Sequence, residues 1–176
     1  MVRVVAGPIH RLLVEDHRRL DALLERATAE PGRINPTAYA EFRTGLLKHI
    51  GMEEKILLPA VQRLRGGEPL PIAATLRLQH GAIAALLVPT PTLDVIATLR
   101  VVLSIHNPLE EDADGMYESC EKVLGNEVDE LLVELRRAPK VPAASHVDGA
   151  GVLGAARRAL ARAGLEVEAL PLIRQK

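Results

Sequence analysis

Four stretches of this sequence repeat apolar residues every three or four positions, and proline or glycine cuts each one off. That spacing puts the apolar side chains on one face of a helix, and a helix with one apolar face has to bury it. The first stretch runs from about Gly7 to Thr28, with Ile9, Leu13, His17, Leu20 and Leu24 on its stripe. The second, about Pro36 to Arg65, carries Phe42, Leu46, His49, Glu53, Leu57 and Ala60. The third, about Pro71 to Val88, carries Leu76, His80, Ile83 and Leu87. The fourth starts near Leu93 and carries Ile96, Leu99, Leu103, His106 and Glu110.

Strand signals are nearly absent, and the breaks are short. Short connections between long helices favour antiparallel neighbours, so the expected fold is all-α, an up-down four-helix bundle with additional C-terminal helices. A fifth helix is expected at 126–137, which completes a bundle domain over residues 1–138. Residues 139–150 read as a Pro/Ala/Ser-rich linker and 151–176 as a short Ala/Arg helix with a tail. The alternation of residues 165–170 suits a short strand or an irregular end. Pro59 is expected to bend the second helix or tighten its last turns, and Pro108 to kink the fourth.

Composition narrows the function. Aromatic residues are only 2% of the chain, so the core must be aliphatic. The net charge of −1 gives no concentrated basic surface for nucleic acid. No apolar run is long enough for a bilayer, and a single cysteine forms no internal disulfide. A cytoplasmic protein is the expectation. The oligomeric state is not legible.

The informative residues are polar ones on the apolar stripes. His17, His49, His80 and His106 each interrupt the stripe of their own helix, one per helix. A lone buried imidazole is usually a satisfied core residue, but four would need more partners than this sequence supplies. His49 and His106 are each followed four residues later by a carboxylate, Glu53 and Glu110. On a helix those side chains project the same way. Counted outward from the hairpin breaks, all six residues fall at one level to within about a turn. Four imidazoles and two carboxylates suit a pair of ions better than one tetrahedral zinc. The expected centre is di-iron, with manganese or a mixed pair as variants, Glu53 and Glu110 bridging, and a water-derived bridge.

The neighbours receive plainer expectations. Glu54 and Glu111 lie about 100° round the helix from their neighbours, and solvated charge is expected of both. Asp16 is expected to be exposed, with a hydrogen bond from another ligand's ring as the alternative, and His10 to be exposed or half-buried, with a role beside the ligands or in a channel as its alternative. His146 is expected to be solvated, Tyr117 to pack, with a hydrogen bond to a ligand as its alternative, and Cys120 to act as a small buried hydrophobe.

The chain resembles the hemerythrin-like family, often called the HHE cation-binding domain. The resemblance is carried by Glu15-Asp16-His17, His49-Ile50-Gly51-Met52-Glu53-Glu54 with Pro59, Gln79-His80, and His106-Asn107-Pro108-Leu109-Glu110-Glu111, across about residues 7–124. It implies a non-haem di-iron centre serving oxygen binding, sensing of oxygen, nitric oxide or iron, iron handling, or repair of iron-sulfur clusters. Oxygen-carrying relatives place a second histidine one turn from the first on the third helix, where this chain has Leu76 and Ala84. The resemblance therefore favours the variant with four His and two Glu. The expected partner is a small diatomic ligand or peroxide. The rival readings are a di-iron oxidoreductase acting on peroxide or O2, and a metal-free helical interaction module docking through its C-terminal helix.

Overall fold

The computed structural model describes residues 6–165. Helix α1 spans Pro8–Ala27 and α2 spans Pro36–Met52. A π-helical turn, Glu53–Leu57, continues α2 directly into α3, Leu58–Leu64. Then follow α4 (Ala73–Leu86), α5 (Leu93–Glu111) and α6 (Met116–Leu124). A 3-10 turn leads into α7 (Val128–Arg136), and α8 spans Ala150–Arg162. No strand occurs among the described residues, and no helix there is long and apolar enough to cross a membrane. The alternating segment beyond Leu165 lies outside the described residues.

The core consists of two apolar clusters, and four helices cross between them. One holds Ile9, Leu13, Met52, Leu57, Leu76, Met116 and Leu135, and the other holds Leu20, Leu24, Phe42, Leu46, Ile83, Leu86, Leu99 and Leu103. Helix α1 leaves the first and enters the second. Helix α2 returns, α4 crosses again, and α5 comes back. This is the antiparallel up-down arrangement that the periodicity predicts. Each crossing passes one polar level, where His17, His49, Glu53, His80, His106 and Glu110 lie between the clusters, all buried.

Side-chain caps fix the helix ends. Asn35 Oδ1 accepts from Ala38 N at 3.0 Å with Pro36 beginning α2, and Thr92 Oγ1 accepts from Val95 N at 3.2 Å at the start of α5. Helix α1 has no cap of its own. Glu121 of α6 instead accepts from Ile9 N at 2.7 Å and His10 N at 3.2 Å. A carboxylate there also complements the helix dipole.

Both prolines lie within continuous helix. Pro59 does not tighten the second helix. The helix widens into the π turn just before it, and Leu58 N bonds back five residues to Glu53 O. Such a turn accommodates a residue that cannot donate, and it sits where Glu53 faces the polar level. Helix α5 runs unbroken through Pro108 to Glu111, losing one backbone bond without ending.

Residues 138–149 run as an irregular strap past α2, from the first core cluster toward the second. Buried Arg43 ties the strap down, donating to Leu87 O at 2.8 Å and to Ala144 O at 2.7 Å. Val147 N donates to Val88 O, and Asp148 accepts from Thr90. Helix α8 then packs on α4, with Ala156, Ala159 and Leu160 inside the second core cluster.

Candidate metal centre

The carboxylates of Glu53 and Glu110 each divide their oxygens between two pairs of imidazoles. Glu53 Oε1 lies 3.3 Å from His49 Nε2, while Glu53 Oε2 lies 3.2 Å from His80 Nε2. Glu110 Oε2 lies 3.5 Å from His17 Nε2, while Glu110 Oε1 lies 3.3 Å from His80 Nε2 and 3.2 Å from His106 Nε2. Two centres result. Ligand atoms of His17, His49, Glu53 and Glu110 all fall within 4.8 Å of one another, and so do those of His80, His106 and Glu110. All six residues singled out in the sequence meet here. It is Glu110, not Glu111, that enters the site beside Pro108.

Three inward atoms, Glu53 Oε2, His80 Nε2 and Glu110 Oε1, have no hydrogen-bond partner although they are buried. Their mutual contacts of 3.2–3.3 Å lack hydrogen-bond geometry. Leaving buried polar atoms unsatisfied is costly, and a cation among them removes the cost. The donor set of imidazole nitrogen and carboxylate oxygen suits a transition-metal ion. The buried His/Glu cluster therefore fits a metal site.

The outward faces of the four rings are all held, and three holders correct the sequence expectation. His49 Nδ1 donates to Asp16 Oδ2 at 2.9 Å, His80 Nδ1 to Glu54 Oε1 at 2.8 Å, and His17 Nδ1 to Glu111 Oε1 at 2.5 Å. Asp16, Glu54 and Glu111 are thus not free solvated charges. His106 Nδ1 donates to Gln79 Oε1 at 2.8 Å. Each holder sits next in sequence to one inward residue and grips a ring on a different helix. Asp16 of α1 holds α2, Glu54 after α2 holds α4, Gln79 of α4 holds α5, and Glu111 of α5 holds α1. The grips close a ring around the bundle. With the Nδ1–H committed outward, each Nε2 is aimed at the centre, where it can ligate once its ring is neutral.

Arg19 and Arg77 brace two of these holders. Arg19 Nε donates to Asp16 at 2.7 Å and Arg77 Nε to Glu54 at 3.1 Å. Burial works to raise the Asp16 pKa, but the His49 and Arg19 hydrogen bonds hold it below the usual range. The His80 hydrogen bond lowers that of Glu54, against burial and with help from Arg77. A groove of about 880 Å³ between α1, α2 and the strap reaches Asp16 but stops short of the six inward residues.

The inward residues are electrostatically coupled. Burial alone would drive protons off His49, yet the charge of Glu53 and the Asp16 hydrogen bond push its pKa up to about 10. His80 rises to about 11 against burial, through contacts with Glu110, Glu53 and Glu54. Burial tends to raise Glu53, but His49 and His80 hold it well below the carboxylate range. Burial and the charge of Glu53 also act to raise Glu110, and His106 and His80 prevail to lower it.

Tyr117 does more than pack. Its hydroxyl on α6 donates toward Glu53 Oε1 at 2.7 Å and Glu110 Oε2 at 3.1 Å, and lies 3.2 Å from His49 Nε2 and 3.4 Å from His17 Nε2. Burial, reinforced by the Glu53 and Glu110 charges, raises its pKa well above 10. No spacing rule pointed to it, because α6 follows the Asp112–Gly115 turn and its direction depends on that turn. Cys120, one turn on, is fully buried against Met116 Sδ, as expected of a small hydrophobe. Half-buried His10 contacts the site indirectly, bonding Glu111 O at 2.8 Å and setting its ring against Tyr117. His146 is exposed on the strap, near Val88 O.

A family model, the Hemerythrin HHE cation binding domain, matches residues 9–138. No match was found among curated proteins or among solved structures.

Proposed function

The chain belongs to the hemerythrin HHE cation-binding family, and on that premise we propose that it holds a non-haem di-iron centre and handles or senses a small ligand such as O2, NO or peroxide, or iron itself. One observation carries this reading: Glu53 and Glu110 each present one oxygen to the His17–His49 side and the other to the His80–His106 side. Carboxylates that split in this way serve as bridges between two ions. His17 and His49 would hold one ion and His80 and His106 the other. Two bridged irons supply reversible redox chemistry and coordination positions for a diatomic ligand or peroxide.

The chain's own residues supply the remaining requirements. Asp16, Glu54, Gln79 and Glu111 fix the four ring orientations, so the Nε2 atoms already face the centre before any ion arrives, and metal binding displaces any proton they carry. Buried aliphatic carbon lies on both sides of the polar level, with Leu13 in one core cluster and Leu46, Ile83 and Leu103 in the other. Apart from Tyr117, the inward polar groups are the six candidate ligands themselves, which favours binding or sensing over turnover.

The test is anaerobic loading with iron(II), elemental analysis, and an electronic spectrum before and after exposure to O2, NO or peroxide. Bound iron whose spectrum responds to one of these ligands supports the reading. A chain that takes up no iron overturns it. Sustained peroxide turnover by the loaded protein would move the function to an oxidoreductase at the same centre.

A further inference from the structure

We propose that Tyr117 supplies its phenolic oxygen as a ligand to the ion on the His17–His49 side, closing that half of the centre and leaving the His80–His106 half to bind the exogenous small ligand. The inference rests on the di-metal reading above and deepens it.

Geometry is the first support. The hydroxyl oxygen lies 2.7, 3.1, 3.2 and 3.4 Å from Glu53 Oε1, Glu110 Oε2, His49 Nε2 and His17 Nε2. For bonds of about 2.1 Å, two ligands at right angles on one ion lie about 3.0 Å apart. Tyr117 therefore stands from these four atoms at the separation of a fifth ligand capping them.

Hydrogen-bond accounting is the second support. With the Nδ1 protons of His17 and His49 directed to Glu111 and Asp16, their Nε2 atoms can only accept when the rings are neutral, as ligation requires. The two carboxylate oxygens also only accept. Four acceptors converge on a hydroxyl that has one proton to give. A cation shared with that oxygen resolves the mismatch.

The third support is asymmetry. Of the six inward residues, the buried atoms without hydrogen-bond partners are Glu53 Oε2, His80 Nε2 and Glu110 Oε1, and all three face the other half, where no side-chain oxygen equivalent to Tyr117 reaches them among the described residues. One half is capped by protein and the other is not.

Ligation breaks the Tyr117 O–H bond and forms an O–metal bond, with the proton released to solvent and no change in oxidation state. Tyrosinate is an established iron ligand in proteins. Bound to iron(III), it gives a broad visible charge-transfer band and resonance-enhanced phenolate ring vibrations, which imidazole and carboxylate do not.

The experiment is visible absorption and resonance Raman on the iron(III)-loaded full chain, the Tyr117→Phe variant and the Tyr39→Phe variant. Only two tyrosines exist, and Tyr39 lies in the other core cluster, so assignment is unambiguous. The expected result is a phenolate band in the unsubstituted chain, retained in Tyr39→Phe and lost in Tyr117→Phe with iron content unchanged. Azide titration should give one bound anion per chain, rising to two in Tyr117→Phe. Iron bound without a phenolate band, or a band that survives Tyr117→Phe, overturns the ligand assignment and leaves the di-iron reading standing. Failure to bind iron at all overturns both. Should Tyr117→Phe not fold, ring-deuterated tyrosine in the unsubstituted chain must shift the Raman bands, and unshifted bands overturn the assignment.

Discussion

The carboxylate of Glu54 accepts a hydrogen bond from His80 Nδ1 at 2.8 Å, so the residue beside one inward carboxylate holds an inward ring on another helix. Asp16, Gln79 and Glu111 repeat the relationship, and the four contacts lock α1, α2, α4 and α5 together at a single level. The same bonds that orient the rings hold the bundle in register there.

Removing a holder should therefore loosen metal before it loosens the fold. Glu54→Ala frees the His80 ring and is expected to weaken iron binding by about 10–100-fold, the usual effect of losing an outer partner of a ligand. Competitive titration against a chelator measures this. Arg77→Ala, which removes only the brace on Glu54, should have a much smaller effect.

The metal-free chain should lose stability toward both ends of the pH scale. His49 and His80 have pKa values near 10 and 11 in the fold, against 6.5 for free imidazole. Their contribution is complete below about pH 6.5 and is lost as pH rises through those folded values. Glu53 and Glu110 are lowered from 4.5, so theirs is present above that pH and is lost as pH falls below it. The thermal midpoint should peak between about pH 5 and 6.5 and decline on the alkaline side. Iron loading should remove the alkaline decline, because ligating imidazoles are neutral. Calorimetry across pH, with and without iron, checks both limbs.

The turn between α5 and α6 sets Glu110 against Tyr117, and Gly115 is its tight point. A Cβ at Gly115 would meet Asp112 O at 2.7 Å and Glu110 O at 2.8 Å, both backbone atoms that cannot swing away. Gly115→Ala is expected to cost about 1–3 kcal/mol by overpacking. It should also weaken iron binding, since the backbone that must yield carries Glu110. Denaturant unfolding and metal titration on the same variant test the coupling.

Helix α8 lies outside the matched family region yet inside the core. Leu160→Ala removes a fully buried side chain from it and should cost about 2–5 kcal/mol. Iron affinity should be unchanged, because Leu160 packs within the second core cluster and is neither a candidate ligand nor a holder. A loss of iron affinity matching the loss of stability would contradict this separation.

The fold was legible because aliphatic periodicity alone specifies which face of each helix is buried, and the short breaks specify antiparallel neighbours. The convergence of the six inward residues was legible for the same reason: residues on buried stripes, at matched distances from the hairpin breaks, must meet. The holders were not. About 100° round from a stripe, Glu54 and Glu111 face solvent on an isolated helix, and only assembly brings a neighbouring imidazole edge to them. Tyr117 was hidden by the turn before it. The effect of Pro59 was hidden because a π turn leaves no mark in residue spacing. A polar side chain beside every candidate ligand was the available signal for the holders.

The most direct test of the two-ion arrangement is an anomalous difference map at the iron absorption edge, from crystals of the anaerobically loaded protein. Two peaks per chain are expected, one beside His17 and His49 and one beside His80 and His106, with the Glu53 and Glu110 carboxylates between them. A single peak, or none in a chain still folded as described, would contradict it.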